Sequence, residues 1–292
     1  MAGCDHNCET CSSKCEKKDF IIHTNQYSKI RKTIGIVSGK GGVGKSLVTS
    51  MLAVCASKNG YKSAILDGDI LGPSIPKIFG INQKAYGDET GKFIYPANGP
   101  LEIDVISTTM LLENEDDPII WRGSMVSNMV KQFYSDVIYG EQDVLFIDMP
   151  PGTGDVPLTI FQSIPLDGIV IVTSPSDLVS MIVEKAVKMA KMMDIPILGL
   201  VENYSYVKCP DCGKKIDVFG TSLNEQKAKD NNIKHFISLP LDPKVASLVD
   251  SGNIHKADTE YFNELVLDIF NLVGLVPTFL FSFLKKWTII FM

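Results

Sequence analysis

Residues 33–46 constrain the fold more than any other stretch of the chain. Thr33-Ile34-Gly35-Ile36-Val37-Ser38 is a short, β-branched apolar run that reads as a buried parallel strand. It passes directly into Gly39-Lys40-Gly41-Gly42-Val43-Gly44-Lys45-Ser46, which fits the pattern G-x-x-x-x-G-K-[ST]. In that pattern glycines let backbone N–H groups approach phosphate oxygens at a helix N-terminus. The helix is predicted over Lys45 to Lys58 and closes at Asn59-Gly60, and Ser63-Ala64-Ile65-Leu66-Asp67 is a second buried strand ending in acid. Strand, loop, helix and strand make a βαβ unit.

The same alternation continues. Ile103 to Ser107, Val144 to Asp148, Ile169 to Thr173, Ile197 to Val201 and His235 to Leu239 read as core strands, with helical patterns at Ser124 to Tyr134 and Val179 to Met193. The expected fold is therefore α/β: one doubly wound domain over residues 30–270, with a mostly parallel sheet of about seven strands or more. Residues 1–29 form a cysteine-rich N-terminal segment and residues 271–292 an apolar tail. The tail is too short for a full membrane span unless Asp268, Asn271 and Pro277 are included, and its apolar residues do not share one helical face. A packed terminal helix, a peripheral membrane anchor and an aberrant end remain as its readings; no membrane association is otherwise expected. The net charge of −6 gives no overall basic field for nucleic acid. Met1 to Lys18 lacks the apolar core of a secretory signal, so a cytoplasmic protein is expected.

The phosphate loop asks for partners. Lys45 would neutralise β- and γ-phosphates of ATP, Ser46 would take a place on Mg²⁺, and the nucleotide-binding stretch runs from Gly39 through Leu47. Val144 to Asp148 ends in a carboxylate, so Asp148 can hold Mg²⁺ through a water at the sheet's C-terminal edge. Met149-Pro150-Pro151-Gly152-Thr153-Gly154-Asp155 then gives a glycine-hinged loop able to sense the γ-phosphate. With its second lysine, Lys40, the loop resembles the deviant Walker A of the MinD, ParA and nitrogenase iron-protein superfamily. That resemblance implies that Lys40 reaches across a homodimer interface to the partner's nucleotide. It also implies that Asp69 activates the attacking water and Asp67 supports the Mg²⁺ shell, although either carboxylate could instead cap the next helix. Asn203 has an amide suited to the adenine edge, and in relatives the matching Asn does this while a loop corresponding to Pro240-Leu241-Asp242 closes over the ring.

Six of the seven cysteines fall in two clusters. Cys209-Pro210-Asp211-Cys212 puts two thiols on one turn, half of a four-thiolate site; the other half could come from a second copy. A bridging [4Fe–4S] cluster, a bridging zinc and a redox dithiol all fit that spacing. Cys4, Cys8, Cys11 and Cys15 supply four thiols within one chain, for a second cluster, a zinc or no metal. His6 reads as solvated and Cys55 as a small core residue.

The phosphate loop, Leu66-Asp67-Gly68-Asp69-Ile70-Leu71-Gly72-Pro73-Ser74, Trp121-Arg122-Gly123, the Asp148 to Asp155 stretch and Cys209-Pro210-Asp211-Cys212 together resemble the Mrp/ApbC family. The resemblance implies an ATPase that assembles iron–sulfur clusters and hands them to apo-proteins. A positioning ATPase of the MinD or ParA kind and a reductase like the nitrogenase iron protein are the alternatives. The first leaves Cys209 and Cys212 unexplained, and the second uses well-separated cysteines. The N-terminal cysteine spacing is more compact than in the family's eukaryotic cytosolic scaffolds, and the apolar tail has no counterpart there.

Overall fold

The computed structural model of the protein describes residues 21–114, 121, 123–175, 177–220 and 222–271. Cys4, Cys8, Cys11, Cys15, Arg122 and the tail from 272 lie outside them. Every strand expected from an apolar run is present: β1 (Lys29–Ser38), β2 (Ser63–Asp67), β3 (Asp104–Ile106), β4 (Glu141–Asp148), β5 (Gly168–Thr173), β6 (Ile197–Lys208) and β7 (His235–Pro240). They pair in parallel in the order β7-β6-β5-β1-β4-β2-β3. Short antiparallel strands at Ala97–Asn98 and Lys215–Ile216 extend β3 and β6 and bring the described sheet to nine strands.

Burial on both faces explains why the strands read as continuous apolar runs. Successive residues alternate between two cores: Val144 and Phe146 face one, Leu145 and Ile147 the other. The first core is closed by α1 (Lys45–Lys58), α2 (Ile75–Phe79) and α8 (Asn263–Asn271). The second is closed by α3 (Gly123–Ser135), α4 (Asp155–Ser163) and α5 (Asp177–Met192). Two further helices, α6 (Asn224–Asp230) and α7 (Pro243–Asp250), flank β7 in the chain. Residues Val48 through Ala56 of α1 are all buried, so this helix has no solvent face through its middle turns.

Because β1 lies between β4 and β5, its C-terminal end delivers the phosphate loop to the middle of the sheet edge. The ends of β2, β4 and β5 and the middle of β6 at Asn203 lie around it. Open α/β sheets bind ligands at this edge. One difference from the sequence reading matters for the site: strand β6 continues past Val201 as far as Lys208, reaching the cysteine turn. The helix expected after β2 is the short α2. Among the described residues no helix is long and apolar enough to cross a membrane.

Phe146 is fully buried in the central strand β4. Phe146→Ala should cost about 3–5 kcal/mol of stability, read as a lower urea midpoint.

Candidate nucleotide and thiol site

Helix α1 starts at Lys45 with no side-chain cap and no acidic residue in its first turn, leaving its first N–H groups available to an anion. Gly44 makes the turn possible in two ways. Its φ of +80° is left-handed, and a Cβ there would stand 2.1 Å from Asn203 Nδ2.

Lys45 and Asp148 are both buried, and Lys45 Nζ lies 2.7 Å from Asp148 Oδ1 as an ion pair outside directed hydrogen-bond geometry. Ser46 donates to Asp148 Oδ2 at 2.6 Å, and Thr49 donates to Asp148 Oδ1 at 2.8 Å. Asp69 Oδ2 is 3.9 Å from Lys45 Nζ. Burial raises Asp69 above the usual carboxylate range; Lys45 opposes the rise and Asp148 adds to it. Such a shift makes a carboxylate a better proton acceptor.

Asp67 pairs in register with Asp148 across β2 and β4. Burial, and then the charge of Asp148, push it to about 7 against the opposing pull of Lys45 and of hydrogen bonds from Ile75 N–H and Ser107. Its Oδ2 accepts from Ser74 N–H (3.2 Å), Ile75 N–H (3.3 Å) and Ser107 Oγ (3.1 Å), so it does engage the start of the next helix. Its Oδ1 is buried without a hydrogen-bond partner. An orphaned carboxylate oxygen beside Asp148 and the Ser46 hydroxyl form an all-oxygen donor set, which fits a hard divalent cation such as Mg²⁺.

The other expected nucleotide residues are placed as follows. Lys40 is exposed on the loop. Asn203 is buried midway along β6 and donates from Nδ2 to Val43 O at 3.0 Å, which holds it against the phosphate loop. Pro240 ends β7, and Asp242 caps α7 by accepting from Lys244 N–H at 2.8 Å. The Asp148 to Asp155 stretch is tied to β1 by Met149 N–H on Ile36 O and Gly152 N–H on Ser38 O. Thr49 and Ser107 were missed from sequence. Thr49 stands three residues after Ser46 in the helix, so helical spacing already put it on the same side; Ser107 on Asp67 is a long-range contact with no local signal.

The cysteine turn lies on the hairpin formed by Val207–Lys208 and Lys215–Ile216. Cys209 N–H donates to Lys214 O and Gly213 N–H donates to Cys209 O, both at 2.9 Å. Both thiols are free, with Cys212 exposed and Cys209 partly so. Backbone N–H groups of Cys212 and then Asp211, followed by the Cys212 side chain, hold the Cys209 thiol below its ordinary value, preparing it as a thiolate. Among the described residues no group of three or more His, Cys, Asp or Glu side chains is placed to hold a metal ion, so the hairpin offers two ligands per copy.

These features define an α/β P-loop NTPase with a surface dithiol at the end of one core strand. Residues 29–273 match the ParA-type family model described as NUBPL iron-transfer P-loop NTPase, and the chain belongs to that family. It is 44% identical over 248 residues to an iron-sulfur cluster carrier protein of Clostridium perfringens, covering 83% of this chain and 86% of that one. Another, from Methanocaldococcus jannaschii, is 44% identical over 263 residues, covering 86% and 90%. A solved nucleotide-binding protein from Archaeoglobus fulgidus, in complex with ADP and with cobalt, is similar at a TM-score of 0.72 and 38% identity, covering 80% of this chain and 91% of that one. The cell-division ATPase MinD of Pyrococcus furiosus shares the fold at a TM-score of 0.58 and 18% identity, covering 83% and 100%.

Burial pushes the Cys55 thiol up from 9.0 to about 11. In metal-free protein at pH 8, iodoacetamide should therefore alkylate Cys209 well before Cys55, as read by peptide mass mapping. A raised thiol contributes stability below its unfolded value and loses it as pH climbs from about 9 to about 11. Cys55→Ser should flatten that part of the stability profile.

Proposed function

We propose that the chain is an ATP-hydrolysing carrier of iron–sulfur clusters. It acts as a homodimer in which Cys209 and Cys212 of each copy share a labile [4Fe–4S] cluster, later delivered to apo-proteins. The observation that carries this reading is that one strand, β6, bears Asn203 against the phosphate loop and continues within a few residues into the Cys209–Cys212 hairpin. Membership of an iron-transfer P-loop family and the similarity to iron-sulfur cluster carrier proteins support it.

For the nucleotide, N–H groups from Gly39 to Leu47 surround the phosphates, and Lys45 exchanges Asp148 for the β- and γ-phosphates. Lys40 reaches the partner's nucleotide, while Asn203 and the Pro240–Asp242 loop hold the base. Ser46, Asp148 through a water, and Asp67 in support are the residues that would hold Mg²⁺, which when bound would draw charge from the β- and γ-phosphate oxygens. Asp69 takes a proton from water as that water's oxygen bonds to the γ-phosphorus. The bond to the β–γ bridging oxygen breaks and ADP leaves with the electron pair.

Asp69→Ala should bind ATP yet lose about 10²- to 10⁴-fold in turnover. Lys45→Ala should lose nucleotide binding itself, by calorimetry on protein shown to be folded. Unchanged turnover in Asp69→Ala removes that residue from the mechanism.

For the cargo, anaerobic reconstitution with iron and sulfide, followed by transfer to an apo-ferredoxin, compares the wild type with Cys209→Ala/Cys212→Ala. The double variant should retain less iron and sulfide and transfer almost none. Equal loading and delivery by both proteins overturns the carrier reading.

A further inference from the structure

Strand β6 is irregular at one place, between its nucleotide end and its cysteine end. Its register against β7 slips between the pairs Ser238–Glu202 and Pro240–Tyr206, and Tyr204 sits within the slip at a left-handed φ of 58°. Bulges of this kind re-aim side chains beside active sites. Here the bulge turns Asn203 onto Val43 O and brings Tyr204 Oη to 3.0 Å from where a Cβ on Gly44 would stand.

Glu202 braces this bulge. It is 2% exposed, and its carboxylate accepts three neutral hydrogen bonds. Ser205 Oγ donates at 2.6 Å from the far side of the bulge. Ser222 Oγ and Asn224 Nδ2, the latter at 2.6 Å, donate from the segment that returns from the cysteine hairpin into α6. Ser222 Oγ in turn receives Asn224 N–H at 3.1 Å. One buried carboxylate therefore joins the residue next to Asn203, the strand leading into Cys209 and the chain leaving Cys212. A carboxylate is the acceptor this cluster needs, because an amide in its place would face donors with a donor.

Two buried polar atoms at the cluster make no hydrogen bond in this arrangement. Thr173 Oγ1, opposite Glu202 in register on β5, and Asn224 Oδ1 are both buried without a hydrogen-bond partner. A hydroxyl donor and a carbonyl acceptor held unused beside Glu202 allow a second arrangement when the bulge shifts. Coupling between sites requires such a two-arrangement element.

We propose that Glu202 is a positioning residue that couples the nucleotide loop to the Cys209–Cys212 hairpin. Displacement of Asn203 by the nucleotide moves Glu202, and Glu202 moves both ends of the hairpin. The inference rests on the carrier reading above, since it assigns the device by which nucleotide acts on the thiol site.

The test uses the full chain reconstituted with iron and sulfide and measures iron release to a chelator in ATP and in ADP. Wild type should show a release ratio between the two nucleotides on the order of 5- to 100-fold. Glu202→Gln should bring that ratio to within about twofold of unity, a loss of most of a typical coupling factor, while ATP affinity stays near wild type. Amide exchange at Cys209 and Gly213 should likewise lose its dependence on nucleotide, a readout that simple destabilisation would not abolish. If Glu202→Gln folds poorly, Ser222→Ala removes one donor at the loop end and should reduce the ratio in the same direction. A wild-type ratio retained in both variants overturns the role of Glu202 and leaves the carrier reading intact. A ratio of one in wild type itself overturns nucleotide control of the cluster, and Glu202's role with it.

Discussion

The site depends on the buried ion pair of Lys45 and Asp148. A charge without a partner at either position would be costly; breaking a buried pair by removing one member typically costs about 3–5 kcal/mol. The pair therefore fixes the start of α1 against the end of β4. Ser46 and Thr49, from the same helix, occupy Asp148 as well, so the carboxylate is oriented by three contacts from one element. The contact is also one that can change partners. Lys45 has the charge to meet phosphate and Asp148 the charge to meet a cation, so an interaction that holds the protein together is also the one ATP and Mg²⁺ would redistribute.

Around that pair the carboxylates divide by environment. Asp67 is wholly buried, faces Asp148 in register and is raised to about 7, whereas Asp69 is partly exposed and nearer to water. Asp67 is also anchored by the start of α2 through Ser74 and Ile75, so capping a helix and lining the proposed cation site are compatible uses of its two oxygens. The sequence reading had set these as alternatives. Gly68 stands between them because a Cβ there would come within 2.8 Å of Asp148 O, which lets the two strand ends close together.

The strands were legible because a sheet buried on both faces needs unbroken apolar runs, and Val144 to Asp148 or Ile169 to Thr173 satisfy no other pattern as well. Helix α1 was legible at both ends, from the phosphate loop and from Asn59-Gly60. The continuation of β6 to Lys208 was not, since Glu202, Asn203 and Ser205 interrupt its apolar pattern. Those polar residues make sense only beside Val43, Ser222 and Asn224, which are distant in the chain. Local periodicity carries no record of such contacts. The cysteine turn was visible by spacing alone, yet its place on the strand that carries Asn203 was not.

That placement bears on which kind of P-loop NTPase the chain makes. A positioning ATPase has no use for a thiol pair in which backbone N–H groups of the turn already favour the Cys209 thiolate. A reductase needs its cluster held through repeated redox cycles, which favours ligands set apart on separate, rigid elements. Two thiols on a surface hairpin, beside the exposed side chains of Ile216, Val218 and Phe219, do the reverse. In the proposed homodimer they would bind soft metal well only when a second pair is brought to them, and would lose it when that pair is withdrawn. Retention would then be set by how closely two copies approach, with ATP bound at the shared interface controlling the distance.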